Sequence, residues 1–107
     1  MAFADNLKKM PGVAHVEAIR LLDGEEEVAV IEHKQGQVGS LTLYNHLAQI
    51  YGALTPEAAR AGIELYAEHS EDARANPGKH PNIDRLLALA EGGRTLRVKH
   101  VFFTCQE

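Results

Sequence analysis

Between Glu68 and Arg85 the chain reads E-H-S-E-D-A-R-A-N-P-G-K-H-P-N-I-D-R, with two His, two Pro, two Asn, one Gly and seven charged side chains. A turn needs Pro, Gly and Asn for backbone reasons; it does not need so many groups that ionise or donate. The Asn76–Asp84 stretch has the parts of an anion site. Gly78 lets backbone approach a ligand, and Lys79 and His80 bring charge and donors. Pro81 opens a helix whose first N–H groups point outward. Asn76, Gly78, Lys79, His80, Asn82 and Asp84 are therefore the candidate ligand-binding residues, with Lys79 and His80 at the centre. Asp84, one helical turn on, is placed to compete for Lys79 in the unliganded chain. The same residues also make a sound turn without any ligand: Asn-Pro-Gly bends the chain, His80 falls at the N-cap and Asp84 answers the helix dipole. The spacing is neither that of a phosphate-binding P-loop nor that of a dinucleotide fingerprint.

Six histidines give a second source of chemistry. His46 flanks the apolar stripe of Leu43, Leu47 and Ile50, His69 lies beside the Tyr66–Ala73 face, and His100 shares a strand face with Leu96 and Val98. If these three converged, neutral imidazoles could hold a first-row divalent metal, with Asp72, Asp84 or Glu68 as carboxylate ligand. No HExxH or paired Cys/His spacing accompanies them, and a lone His near a core is ordinarily satisfied by a carbonyl or carboxylate. Glu68, Glu71, Asp72 and Arg74 read as a solvated helix face. Cys105 carries no nucleophile signature, and Ser40 and Ser70 lack the strand–turn–helix setting of a catalytic serine.

The elements that must position these groups follow from period and punctuation. Phe3–Met10 forms a short helix ended by Pro11-Gly12. Alternation over Val13–Leu22, the turn signal Asp23-Gly24 and the β-branched Glu26–His33 segment give a hairpin. Ser40 stands as N-cap of a helix carrying Leu43, His46, Leu47 and Ile50 up to Gly52, with a strand at Ser40–Tyr44 as the competing reading. Thr55-Pro56-Glu57 starts a helix whose face runs Ala59, Gly62, Ile63, Tyr66 and Ala73, and a glycine there predicts a close neighbour. Asn76-Pro77-Gly78 breaks it, Pro81 restarts a helix that Gly92-Gly93 stops, and Thr95–Thr104 closes the chain as a strand. The expectation is a single α+β domain over residues 1–107, a small antiparallel sheet with three to four helices on one face.

Composition narrows the function classes. With 107 residues, 45% apolar and 24% charged, the chain is that of a globular protein with one core. A net charge of −4 argues against nucleic-acid binding, which rests on Lys and Arg neutralising phosphates. A single cysteine suits a reducing compartment, and neither an apolar signal run nor a membrane span is evident, so the cytosol is expected and no membrane partner. Val101 and Phe103 fall on the strand face opposite Leu96 and Val98, which a three-stranded sheet covers poorly, so a homo-oligomer is expected unless the N-terminal helix covers it.

Three segments, F-A-D-N-L at Phe3–Leu7, G-S-L at Gly39–Leu41 and D-A-R-A-N-P-G-K-H-P-N-I-D-R-L-L at Asp72–Leu87, resemble a family of small bacterial proteins catalogued only as a domain of unknown function. The resemblance spans essentially the whole chain. It implies a stand-alone bacterial cytosolic protein and carries no activity, cofactor or catalytic residue. The expected function is thus a non-catalytic binding or protein-interaction domain with a small-anion site at Asn76–Asp84. The alternative is a small, metal-dependent enzyme built on His46, His69 and His100.

Overall fold

The chain reverses at Gly24, whose φ of +66° joins two antiparallel strands, β1 (Val16–Asp23) and β2 (Glu26–Glu32). This computed structural model describes residues 2–104; Cys105 lies outside them. Asp23 pairs with Glu26, so the loop is Gly24-Glu25, one residue beyond the expected Asp-Gly. Glycine at the first central position lets the turn follow the strand twist. A third strand, β3 (Arg97–Phe102), pairs antiparallel with the other edge of β1, giving the order β2-β1-β3. Across it, Ile31, Ile19 and His100 form a row on the helix side, while Val30, Arg20 and Lys99 form a row on the open side.

Five helices accompany the sheet, α1 (Phe3–Leu7), α2 (Val38–Tyr51), α3 (Pro56–Tyr66), α4 (Glu68–Ala75) and α5 (Pro81–Gly92), with α2 packed against β1 and β2. The fold is α+β. One apolar cluster joins Ile19, Leu21 and Ile31 of the sheet to Leu43 and Leu47 of α2, Ile63 of α3 and Leu86 of α5. Thr55 caps α3 as expected, its hydroxyl accepting from Ala58 N at 3.0 Å ahead of Pro56. Gly62 has the close neighbours its type predicted: an added Cβ would stand 2.8 Å from both Leu47 Cδ1 and Leu86 Cδ1. Glycine here lets α3 approach α2 and α5. Gly93, at φ +74°, ends α5 in the left-handed conformation favoured at helix ends.

Four expectations are corrected. The helix expected from Thr55 through Ala73 breaks at Ala67, which takes φ 54° and ψ −119°, so five helices form where three or four were expected. Local side chains support the break: Ser70 Oγ donates to Ile63 O at 2.6 Å, satisfying a carbonyl that the interrupted helix leaves open. Ser40 is not an N-cap. α2 starts at Val38 behind Gln37, whose Oε1 accepts instead from Glu32 N at 2.9 Å, so no side chain caps α2. The first helix ends at Leu7, short of Met10. β3 is likewise shorter than Thr95–Thr104, although Leu96 still bridges Leu54 through paired backbone bonds.

Candidate functional site

Tertiary packing brings the three sequence segments quoted above to one cleft of about 270 Å³. Phe3 and Tyr66 stack at its base with ring centroids 5.0 Å apart, and Ile83 completes an apolar floor. Gly39 makes room for this arrangement, since a Cβ there would lie 3.3 Å from Phe3 Cε2. Ser40, one residue on, turns its hydroxyl to Tyr66, which donates to Ser40 Oγ at 2.7 Å. Lys79 and His80 of the α4–α5 turn and Asn82 of α5 form one wall, and His69 of α4 stands edge-on to Phe3 with its ring 5.9 Å from that of His80.

Two carboxylates hold the turn. Asp72 Oδ2 accepts from His80 Nε2 at 2.6 Å and pairs with Lys79 Nζ at 3.0 Å, while Asp72 Oδ1 accepts from Asn76 Nδ2 at 3.0 Å. Hydrogen bonds first from His80 and then from Lys79 hold the Asp72 carboxyl down to about 2. A carboxylate this firmly ionised can only accept, so Nε2 of His80 carries the proton. Asp84 Oδ2 accepts from the N–H of Gly78, which sits at φ +93°. This corrects two expectations. Lys79 is paired with Asp72 and not with Asp84, and Asp72 is the centre of the turn's polar network, where a solvated face was expected.

Beneath the turn, Tyr44 donates to Asn82 O at 2.5 Å, and Arg85 Nη1 donates to both Tyr44 Oη (3.1 Å) and Asn82 Oδ1 (2.8 Å). Burial pushes the Tyr44 phenol up to about 12 against the opposing pull of Arg85, and burial likewise raises that of Tyr66. Both phenols therefore stay protonated and act as donors. Glu68 Oε1 accepts from Phe3 N at 2.9 Å and so ties α1 to α4 beside the cleft.

Of the six candidate ligand-binding residues, Lys79, His80 and Asn82 line the cleft. Asn76, Gly78 and Asp84 serve the turn's internal bonds. The three histidines of the metal alternative stand apart. His69 lines this cleft, whereas His46 lines a separate groove with Asn6, Leu47 and Glu64. His100 hydrogen-bonds Asn45 Oδ1 through Nε2 at 2.8 Å, between sheet and α2, where burial holds its pKa down. Among the described residues no group of three or more His, Cys, Asp or Glu is placed to hold a metal ion. Residue-level reading missed Phe3, Gly39, Ser40, Tyr66 and Asp72. The one signal for Asp72 was its place seven and eight residues before Lys79 and His80, and helical phase alone assigned it to solvent.

The architecture is that of a small α+β protein, with a three-stranded antiparallel sheet under five helices and a polar cleft at the α4–α5 turn. The chain belongs to the family described as "Uncharacterized protein conserved in bacteria (DUF2322)", whose profile matches residues 3–100. No curated protein and no solved structure gives a match. No helix among the described residues is long and apolar enough to cross a membrane.

Proposed function

We propose that this protein is a non-catalytic binding domain of the cytosol and that the cleft takes a small anionic ligand. One observation carries the proposal: Lys79, His80 and Asn82 share a cleft with His69 and Ser40 above an apolar floor of Phe3, Tyr66 and Ile83. Cations and neutral donors on one wall meet a negative group, and the floor takes an apolar body, the usual division in small-ligand sites. The test is a thermal-shift series with acetate, benzoate and inorganic phosphate on wild type and on the Lys79→Ala, His80→Ala double variant. Ligand at a hundred times Kd should add about 2.7 kcal/mol, a shift readily seen in a domain this small. Equal shifts in a folded double variant would reject the site.

Self-association is the second part of the proposal. The open sheet face carries Val30, 42% exposed, and the half-buried Val101, while α1 packs against α3 and α2. A second copy laid on that face would bury both side chains.

A further inference from the structure

The charge of the cleft turns on one imidazole. Asp72 and Lys79 pair at 3.0 Å and cancel, so with His80 neutral this trio has no net charge to draw an anion. A proton on His80 changes two things together: the trio becomes cationic, and Nδ1 gains an N–H. Asp72 decides which edge of the ring does which job. Nε2 is fixed on Asp72 Oδ2 at 2.6 Å, and His80 lines the cleft while Asp72 does not. The Nδ1 edge is thus the one left for a ligand, and among the described residues no hydrogen bond to it is seen.

Other groups around the ring leave that role to His80. From α4 come Asp72, His69, whose ring is 5.9 Å away, and Glu68, whose Oε2 lies 4.0 Å from His69 Nε2 while its Oε1 accepts from Phe3 N. From α5 come Asp84, bound to Gly78 N, and Arg85, bound to Tyr44 and Asn82. The residues that α1 and α2 contribute to the cleft, Phe3, Gly39 and Ser40, are uncharged. Ser40 is a further donor: its Oγ accepts from Tyr66 and among the described residues no acceptor takes its own proton, whereas nearby Thr42 spends its proton on Val38 O at 2.8 Å.

Resting on the binding role proposed above, we infer that the cleft is a proton-coupled receptor for a small carboxylate with a flat apolar body, bound as His80 takes up a proton. His80 Nδ1–H, Lys79 Nζ and Ser40 Oγ–H meet the carboxylate, and Phe3 and Ile83 take the apolar part. Asp72 is a positioning residue that holds the imidazolium from outside the cleft.

The experiment is calorimetric titration of the full chain with benzoate, and with acetate as a control lacking the apolar body. It is run at pH 6 and pH 8 in two buffers of different ionisation heat. Benzoate is ionised throughout, so any pH dependence belongs to the protein. Affinity should fall about tenfold or more from pH 6 to pH 8 if benzoate binds only with the added proton, and heats at pH 8 should report close to one proton taken up per benzoate. Acetate should bind more weakly than benzoate. His80→Gln should flatten the pH dependence. Asp72→Asn should move the fall in affinity to lower pH, because the imidazolium loses its counter-charge; a residue that only stapled the turn would weaken binding equally at both values. Should His80→Gln fail to fold, the wild-type proton count decides alone. Benzoate bound equally at pH 6 and pH 8 without proton exchange would overturn the coupling and leave the binding role standing. Absence of benzoate and acetate binding by folded wild type at pH 6 would overturn both.

Discussion

Asp72 shows how much one side chain can organise. It receives Asn76, Lys79 and His80, three donors from the eight residues that follow it, on a single carboxylate. Exposed ion pairs are individually weak, but here they converge on a group that also fixes the edge an imidazole presents. Because the folded carboxyl is held at about 2, below the ordinary aspartate value, its contribution to stability is complete above about pH 4 and is lost as pH falls towards 2. Asp72→Asn should therefore melt below wild type at pH 5 to 7, and the gap should close on acidification to pH 2. Melting curves by circular dichroism across that range decide the matter; a gap that stays constant would mean the carboxylate's charge is not what stabilises the turn.

At the scale of elements, the break at Ala67 is the informative feature. A non-glycine residue at φ 54° and ψ −119° holds a strained backbone, and conformations of this kind cost about 1–3 kcal/mol. The surrounding bonds keep it there: Ser70 Oγ on Ile63 O, Glu68 Oε1 on Phe3 N and Ala67 N on Glu64 O. The break ends α3 at Tyr66 and begins α4 with the residues that reach both the N-terminal helix and the turn. Ala67→Gly relieves the strain without removing a packed side chain, so it should raise the melting temperature by roughly 4–8 °C if it recovers about 1 kcal/mol. An unchanged or lower melting temperature would show that this backbone is not strained in solution. Removing the Ser70 hydroxyl acts in the opposite sense by leaving Ile63 O without its donor.

For the whole molecule, helices packed on one face of a three-stranded sheet leave the other face to its own side chains. Arg20 lies across it between Val30 and Lys99 and pairs with Glu27 at 2.5 Å, so charged stems already shield part of it. Val30 remains open. Light scattering over micromolar concentrations should give a mass above that of the 11.7 kDa monomer, and Val30→Glu should return the monomer, because a carboxylate beside Arg20 is tolerated on a solvated sheet but not in a buried interface. A monomer mass for wild type across that range would dismiss the self-association proposed above.

The sequence by itself determined what neighbouring residues decide among themselves. Thr55-Pro56 starts a helix, Gly93 stops one, Gly24 reverses a hairpin and Pro81 reopens a helix because each choice is made by a local φ or a local hydrogen bond. Gly62 announced a close neighbour for the same reason: a missing Cβ in mid-helix is costly unless something else occupies the space. Of the candidate site, the Lys79-His80 turn could be read from its types alone. Tertiary structure decided which groups meet there. Ala67 looks like any helix former in sequence, and only contacts made by Ser70, Glu68 and Phe3 hold it off the helix. Asp72 was assigned to solvent by phase on one long helix, and the break removed that premise. His46, His69 and His100 each lie near apolar residues, yet a periodic pattern fixes only a face and not a distance, so it could not place them in separate surroundings. The cleft joins residue 3 to residues 39–40, 66, 69 and 79–83, and contacts so distant along the chain are selected by packing of the whole core, which no local rule contains.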